Sequence, residues 1–145
     1  MGASPPDTAS NLAGPALLSL ISASIVAILR DRYGRGPLTA KSYAVDDLLV
    51  VVTRDAGFTT LEQTMVDHDE VSLVVTMRRN FERDMTKVYT ETIERLTART
   101  VLAFLSQTHV EPGITMETFL LDAPLEGFAA EAIARPRRQR RRSPA

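Results

Sequence analysis

The chain begins its ordered pattern with an apolar stretch whose large residues recur at spacings of three and four. Leu17, Leu18, Leu20, Ile21, Ile25, Ile28 and Leu29 place a broad apolar face along one helix, predicted from about Pro15 to Tyr33. Pro15 suits the first turn, Arg30 and Arg32 suit the negative end of the helix dipole, Gly34 can take the left-handed cap and Pro37 forbids continuation. The period then changes from 3.6 to 2. Lys41 to Val45 and Leu48 to Thr53, joined at Asp46-Asp47, read as an antiparallel hairpin. Leu48 to Val52 is apolar on both faces, which predicts a central strand covered on both sides, or a strand with one face closed by a partner.

Helical spacing returns after Gly57. Thr59 with Glu62 three residues on forms a capping box for a short helix to about Asp67. With Asp69 as its cap, a longer helix follows, in which Val71, Val74, Val75, Phe81, Met85, Val88, Tyr89, Ile93 and Leu96 keep to one side for about 27 residues, or about 40 Å. Arg78–Glu82, Lys87–Glu91 and Glu91–Arg95 are i,i+4 pairs, assigned to its solvated outer face. A second strand pair, Thr100–Thr108 and Ile114–Leu121, turns through Glu111-Pro112-Gly113. The order α-ββ-αα-ββ predicts an α+β domain: a four-stranded, mainly antiparallel sheet packed with helices, including one long helix. That helix would exceed the width of such a sheet, about 19 Å, so part of its apolar stripe is expected to overhang and to be covered in a homodimer, with Phe81 and Met85 as contacts.

Composition sets the limits. At 145 residues one domain is expected, here residues 15–123, between a disordered segment 1–14 and a disordered Arg-rich tail 124–145. The absence of cysteine excludes disulfides, thiolate metal sites and cysteine nucleophiles. The net charge of -1 conceals an acidic body and a basic tail. Six of the 17 Lys and Arg are Arg135, Arg137, Arg138, Arg140, Arg141 and Arg142. Such a cluster suits an anionic membrane surface or nucleic-acid phosphates, and without interleaved aromatics it is not a sequence-specific reader; the bland alternative is a solubilising tail that folds back on the acidic body.

Residues 8–29 carry no charge, a pattern that suits either a membrane span or a core helix. Asn11, the Gly14-Pro15 pair and four serines dilute the run and favour the core helix of a cytoplasmic protein. No catalytic or cofactor spacing is present. His68 and His109 are far apart and lack a metal-ligand pattern. Gly34-Arg35-Gly36 follows a helix and precedes a strand, the reverse of a phosphate-binding loop. Strand alternation separates Ser106 and Thr108 from His109, and Asp46-Asp47 reads as a turn.

Three strings, GRGP, AKSYAVDDLLVVVTRDAGFTTLE and LTARTVLAFLSQTHVEPGITMETFLLD, occur in an order that resembles the MpsC-like family of bacteria, over roughly residues 15–122. The resemblance implies a soluble, non-enzymatic accessory protein of a sodium-translocating, membrane-potential-generating system, acting through protein contacts, with a membrane-protein partner and a place near the inner membrane. It supplies no functional residues. Relatives read LTGR where this chain has Leu96-Thr97-Ala98-Arg99, so an alanine stands where glycine would take the left-handed helix cap. The competing expectations are a small-ligand-binding regulatory module, for which a polar pocket lined by Arg78 or Arg79 would speak, and polyanion binding through the tail.

Overall fold

A computed structural model describes residues 12–34, 36–37, 39–55, 57–109 and 112–128. Its elements are α1 (Gly14–Tyr33), β1 (Thr39–Val45), β2 (Leu48–Arg54), α2 (Thr60–Asp67), α3 (Val71–Asp84), α4 (Thr86–Thr97), β3 (Val101–His109) and β4 (Ile114–Leu121). The strands form one antiparallel sheet in the order β1-β2-β4-β3. The α+β class and the order of helices and strands are as the periodicities predict. The hairpin turns at Asp46, whose φ of 53° is the left-handed conformation a two-residue turn needs and Asp tolerates.

Helices cover one face of the sheet. Leu17, Ile21 and Ile25 of α1, Tyr89, Ile93 and Leu96 of α4, and Leu49, Val51, Phe119 and Leu121 of the central strands form the core. Leu48 to Val52 is indeed a central strand, yet only Leu49 and Val51 face helices. Among the described residues, no helix covers the opposite face of the sheet.

The expected 27-residue helix is divided at Met85, whose ψ of -5° lies well off the helical value. No Pro or Gly stands there. Periodicity missed the break because the apolar phase carries across it: Val74 and Arg78 before it, and Tyr89, Ile93 and Leu96 after it, are all buried. Met85 itself is 6% exposed and belongs to the core, while Phe81 is half-buried with its ring edge-on to Tyr33 at 4.8 Å. Within one copy of the chain, Met85 is thus enclosed and Phe81 partly covered, so Met85 does not present the exposed side chain expected of a dimer contact. Asp69 does not cap α3; Glu70 holds that position, and no side chain there bonds the helix end.

Ala98 ends α4 in the left-handed conformation, φ 53° and ψ 31°, which glycine adopts without a Cβ penalty. Ala98→Gly is expected to stabilise the fold by about 1 kcal/mol, a rise of a few degrees in Tm. A lower melting temperature would show that the strain is relieved elsewhere.

The domain also extends further than residue 123. Leu125 is 1% exposed and Phe128 packs on the core. The Gly14 N–H donates to the Glu126 carbonyl at 2.9 Å, and Arg99 Nε donates to the Pro124 carbonyl at 2.8 Å. Gly127, at φ 86°, brings its Cα so close to the start of α1 that a Cβ would lie 2.6 Å from the Gly14 nitrogen. Residues 124–128 thus clamp the first turn of α1 and are part of the domain. The sequence hides this because a single leucine among Pro, Glu and Gly has no period.

Candidate functional site

The inner face of the sheet is apolar at one end and polar at the other. Register places Thr53, Thr115 and Thr108 in one row and Val51, Glu117 and Ser106 in the next. Alternation along Thr115-Met116-Glu117-Thr118-Phe119 directs Glu117 to the same side as Phe119, under the helices. Above this polar end, Tyr33 from α1, Glu62 from α2, and Arg78 and Phe81 from α3 close over a pocket of about 60 Å³.

Glu62 organises its rim. The capping box forms as expected: the Thr59 N–H donates to Glu62 Oε1 at 2.8 Å and the Glu62 N–H to Thr59 Oγ1 at 3.2 Å. A capping glutamate usually stays in water, but this one is fully buried. Arg78 grips it in a two-pronged pair, Nε to Oε2 at 2.6 Å and Nη2 to Oε1 at 2.9 Å, and Nη1 reaches Asp55 Oδ2 at 3.0 Å. The Tyr33 hydroxyl donates to Oε2 at 2.7 Å. Burial alone would raise the Glu62 carboxyl, but bonds from Arg78, Thr59 and Tyr33 outweigh it and hold the group at about 2. The same contacts push Arg78 upward, and burial with the Glu62 charge pushes the Tyr33 hydroxyl upward. Arg78 therefore points inward, not into the solvated face where pairing with Glu82 would put it. Among the expected i,i+4 pairs, Lys87–Glu91 forms, exposed, at 3.8 Å.

The floor is different in character. Glu117 is 2% exposed and Tyr89 0%, and neither Glu117 Oε2 nor the Tyr89 hydroxyl has a hydrogen-bond partner among the described residues. Burial, with repulsion from Glu82, lifts Glu117 to about 7, and the neighbouring Ser106 only partly offsets this. Tyr89 is raised by burial and by the same two carboxylates. Glu82, itself raised by burial, accepts a hydrogen bond from the Thr108 hydroxyl. A second, larger hollow of about 270 Å³ shares Arg78 and Glu82 and adds Arg79 and Ser106. The Arg78-lined polar pocket that the ligand-binding hypothesis requires is present, although its guanidinium charge is already matched by Glu62 and Asp55.

The other sequence candidates stay apart from this site. His68 Nδ1 lies 2.7 Å from the Thr64 carbonyl at the end of α2, and His109 Nδ1 lies 3.0 Å from the Pro112 carbonyl beyond β3. Gly34 is a left-handed helix cap at φ 81°. The six tail arginines, Arg135 to Arg142, lie outside the described residues. Glu62, Glu117 and Tyr89 were not singled out from the sequence as site residues. The alternation of β4 was the one signal available for Glu117, since it shares a face with Phe119 and Leu121.

A search of curated proteins and one of solved structures each returned no match. A family model described as "Na+-translocating membrane potential-generating system (MpsC)" matches residues 16–123. The match spans α1 to the end of β4, every element from which the pocket and the open sheet face are built. By that match the chain belongs to the MpsC family.

Proposed function

We propose that this chain is a non-enzymatic accessory component of the sodium system to which its family belongs, acting through protein contact on the open face of its sheet. The carrying observation is that face itself. Four cross-strand rows line it: Thr39, Arg54, Ile114 and His109; Lys41, Val52, Met116 and Gln107; Tyr43, Val50, Thr118 and Leu105; Val45, Leu48, Leu120 and Ala103. Its apolar members include Leu105, 67% exposed, and Tyr43, Val45, Met116 and Leu120, also exposed. Four strands about 4.8 Å apart and seven residues long outline about 450 Å², the size at which apolar patches mark contact sites.

The occupant proposed is a second copy of the chain. Lys41 and Arg54, both basic, are the charged residues among those sixteen positions and stand in neighbouring rows at one end; the other two rows carry no charge, and over them two such faces can stack about 10 Å apart as a sandwich. The area is small for an obligate interface, so the dimer is a weak one. A cytoplasmic protein at the inner membrane surface is supported by the place of α1: it is long and apolar enough to cross a membrane, but its Leu17, Ile21 and Ile25 are core residues. In cells lacking the chain, a Val50→Asp, Leu105→Asp variant that folds normally is expected not to restore sodium-dependent membrane potential. Full restoration would remove the face from the function.

The arginine tail is proposed as a separate, salt-sensitive contact with polyanions. A form ending at residue 130 is expected to melt with the full chain and to lose binding to anionic vesicles and to DNA. Cutting before Leu125 is expected to cost about 2–4 kcal/mol, because a buried leucine goes with it. Binding that survives the cut at 130 would put the basic site elsewhere.

A further inference from the structure

The pocket floor is left unexplained by the sheet-face reading. Oxygen atoms dominate its polar lining: the Glu117 carboxyl, the Tyr89 phenol, and the hydroxyls of Thr53 and Thr115. Arg78, the arginine among the described residues that line the pocket, is bound to Glu62 and Asp55. Glu62 and Asp55 are engaged by that arginine and Glu82 accepts from Thr108, which leaves Glu117 as the lining carboxylate with an unmatched buried oxygen, together with the unmatched hydroxyls of Tyr89 and of Ser106, its cross-strand neighbour. Leaving such groups without a partner is costly, and each of these oxygens is buried.

We propose that the Glu117–Tyr89 floor binds a small monovalent cation. Hard cations take carboxylate, hydroxyl and water oxygens, the atoms this floor offers. One unmatched carboxylate suits a single positive charge. The volume, about 60 Å³, admits an ion with a few waters and is far below the roughly 300 Å³ at which sites for organic ligands begin. The residues that would meet the ion come from two central strands and α4, so its binding would tie α4 to the sheet at their polar end. The inference is independent of the sheet-face reading, and its test involves no second copy.

Melting temperatures of the full chain are to be compared in sodium, potassium, ammonium and choline chlorides at one ionic strength and one pH, with sodium-23 linewidths as a direct readout. At least one small cation is expected to raise Tm saturably over choline, by about 4 °C at ten times its Kd. The rise should vanish in Glu117→Gln and saturate at tenfold or more higher concentration in Tyr89→Phe, which loses only the phenol oxygen. Identical melting in all four salts would overturn the proposal, as would a cation-specific rise that persists in Glu117→Gln. If Glu117→Gln does not fold, an unchanged saturation midpoint in Tyr89→Phe overturns it.

Discussion

Arg78→Ala is expected to lower the unfolding free energy by about 3–5 kcal/mol, because it strands a fully buried carboxylate. Glu62 would keep bonds from Thr59 and Tyr33 but lose both prongs of its ion pair, and Asp55 would lose its contact as well. Against a total stability of about 5–15 kcal/mol, this removes a large share. Removing both charges at once, as Glu62→Leu with Arg78→Met, is expected to cost less than Arg78→Ala alone, because no fully buried carboxylate is left without its cation. Urea unfolding of the variants checks both statements. The wild type carries a linked pH dependence. Glu62 titrates near 4.5 when unfolded and near 2 when folded, so its contribution is complete above about 4.5 and is lost as pH falls toward 2. In Glu62→Gln that part of the acid limb should flatten. A single Arg78→Ala cost below about 1 kcal/mol would mean that water reaches Glu62 and screens it.

Ile21→Asp is the other large effect, because a new charge in the middle of the core has no partner. Ile21 is fully buried among the residues of α4 and the central strands, and an isolated buried carboxylate costs several kcal/mol even after its pKa adjusts. The variant is expected to be unfolded or aggregated in detergent-free buffer, by circular dichroism and by sedimentation, where the wild type is folded. Stable insertion of the wild-type helix into bilayers, with Ile21 facing lipid, would contradict the packing of α1 described above.

The local signals were legible where one residue carries one instruction. Gly34 stops α1, Asp46-Asp47 turns the first hairpin, and Thr59 with Glu62 opens α2, each readable from neighbours a few positions away. What stayed hidden depends on distant partners. Arg78 and Glu62 are 16 residues apart, and nothing in their spacing announces that a capping glutamate is buried and paired. Glu82 offered Arg78 an i,i+4 partner, and only the tertiary approach of α2 decides the competition. The break at Met85 is masked by an apolar phase that continues through it, and the burial of Met85 within its own domain leaves no mark on that phase. Leu125 was missed because one apolar residue after a strand has no periodicity to reveal it.

The open sheet face also had its trace in the sequence, in a central strand apolar on both sides. What the structure adds is which side is covered and which is bare. The proposal that this bare side is a contact surface is tested most directly by sedimentation equilibrium from about 1 to 100 µM, on the wild type and on Val50→Asp, Leu105→Asp. The account predicts a reversible wild-type dimer in the micromolar range and a monomeric variant with a melting temperature unchanged within a few degrees. A wild type that stays monomeric throughout, or a variant that dimerises as strongly as the wild type, would contradict it.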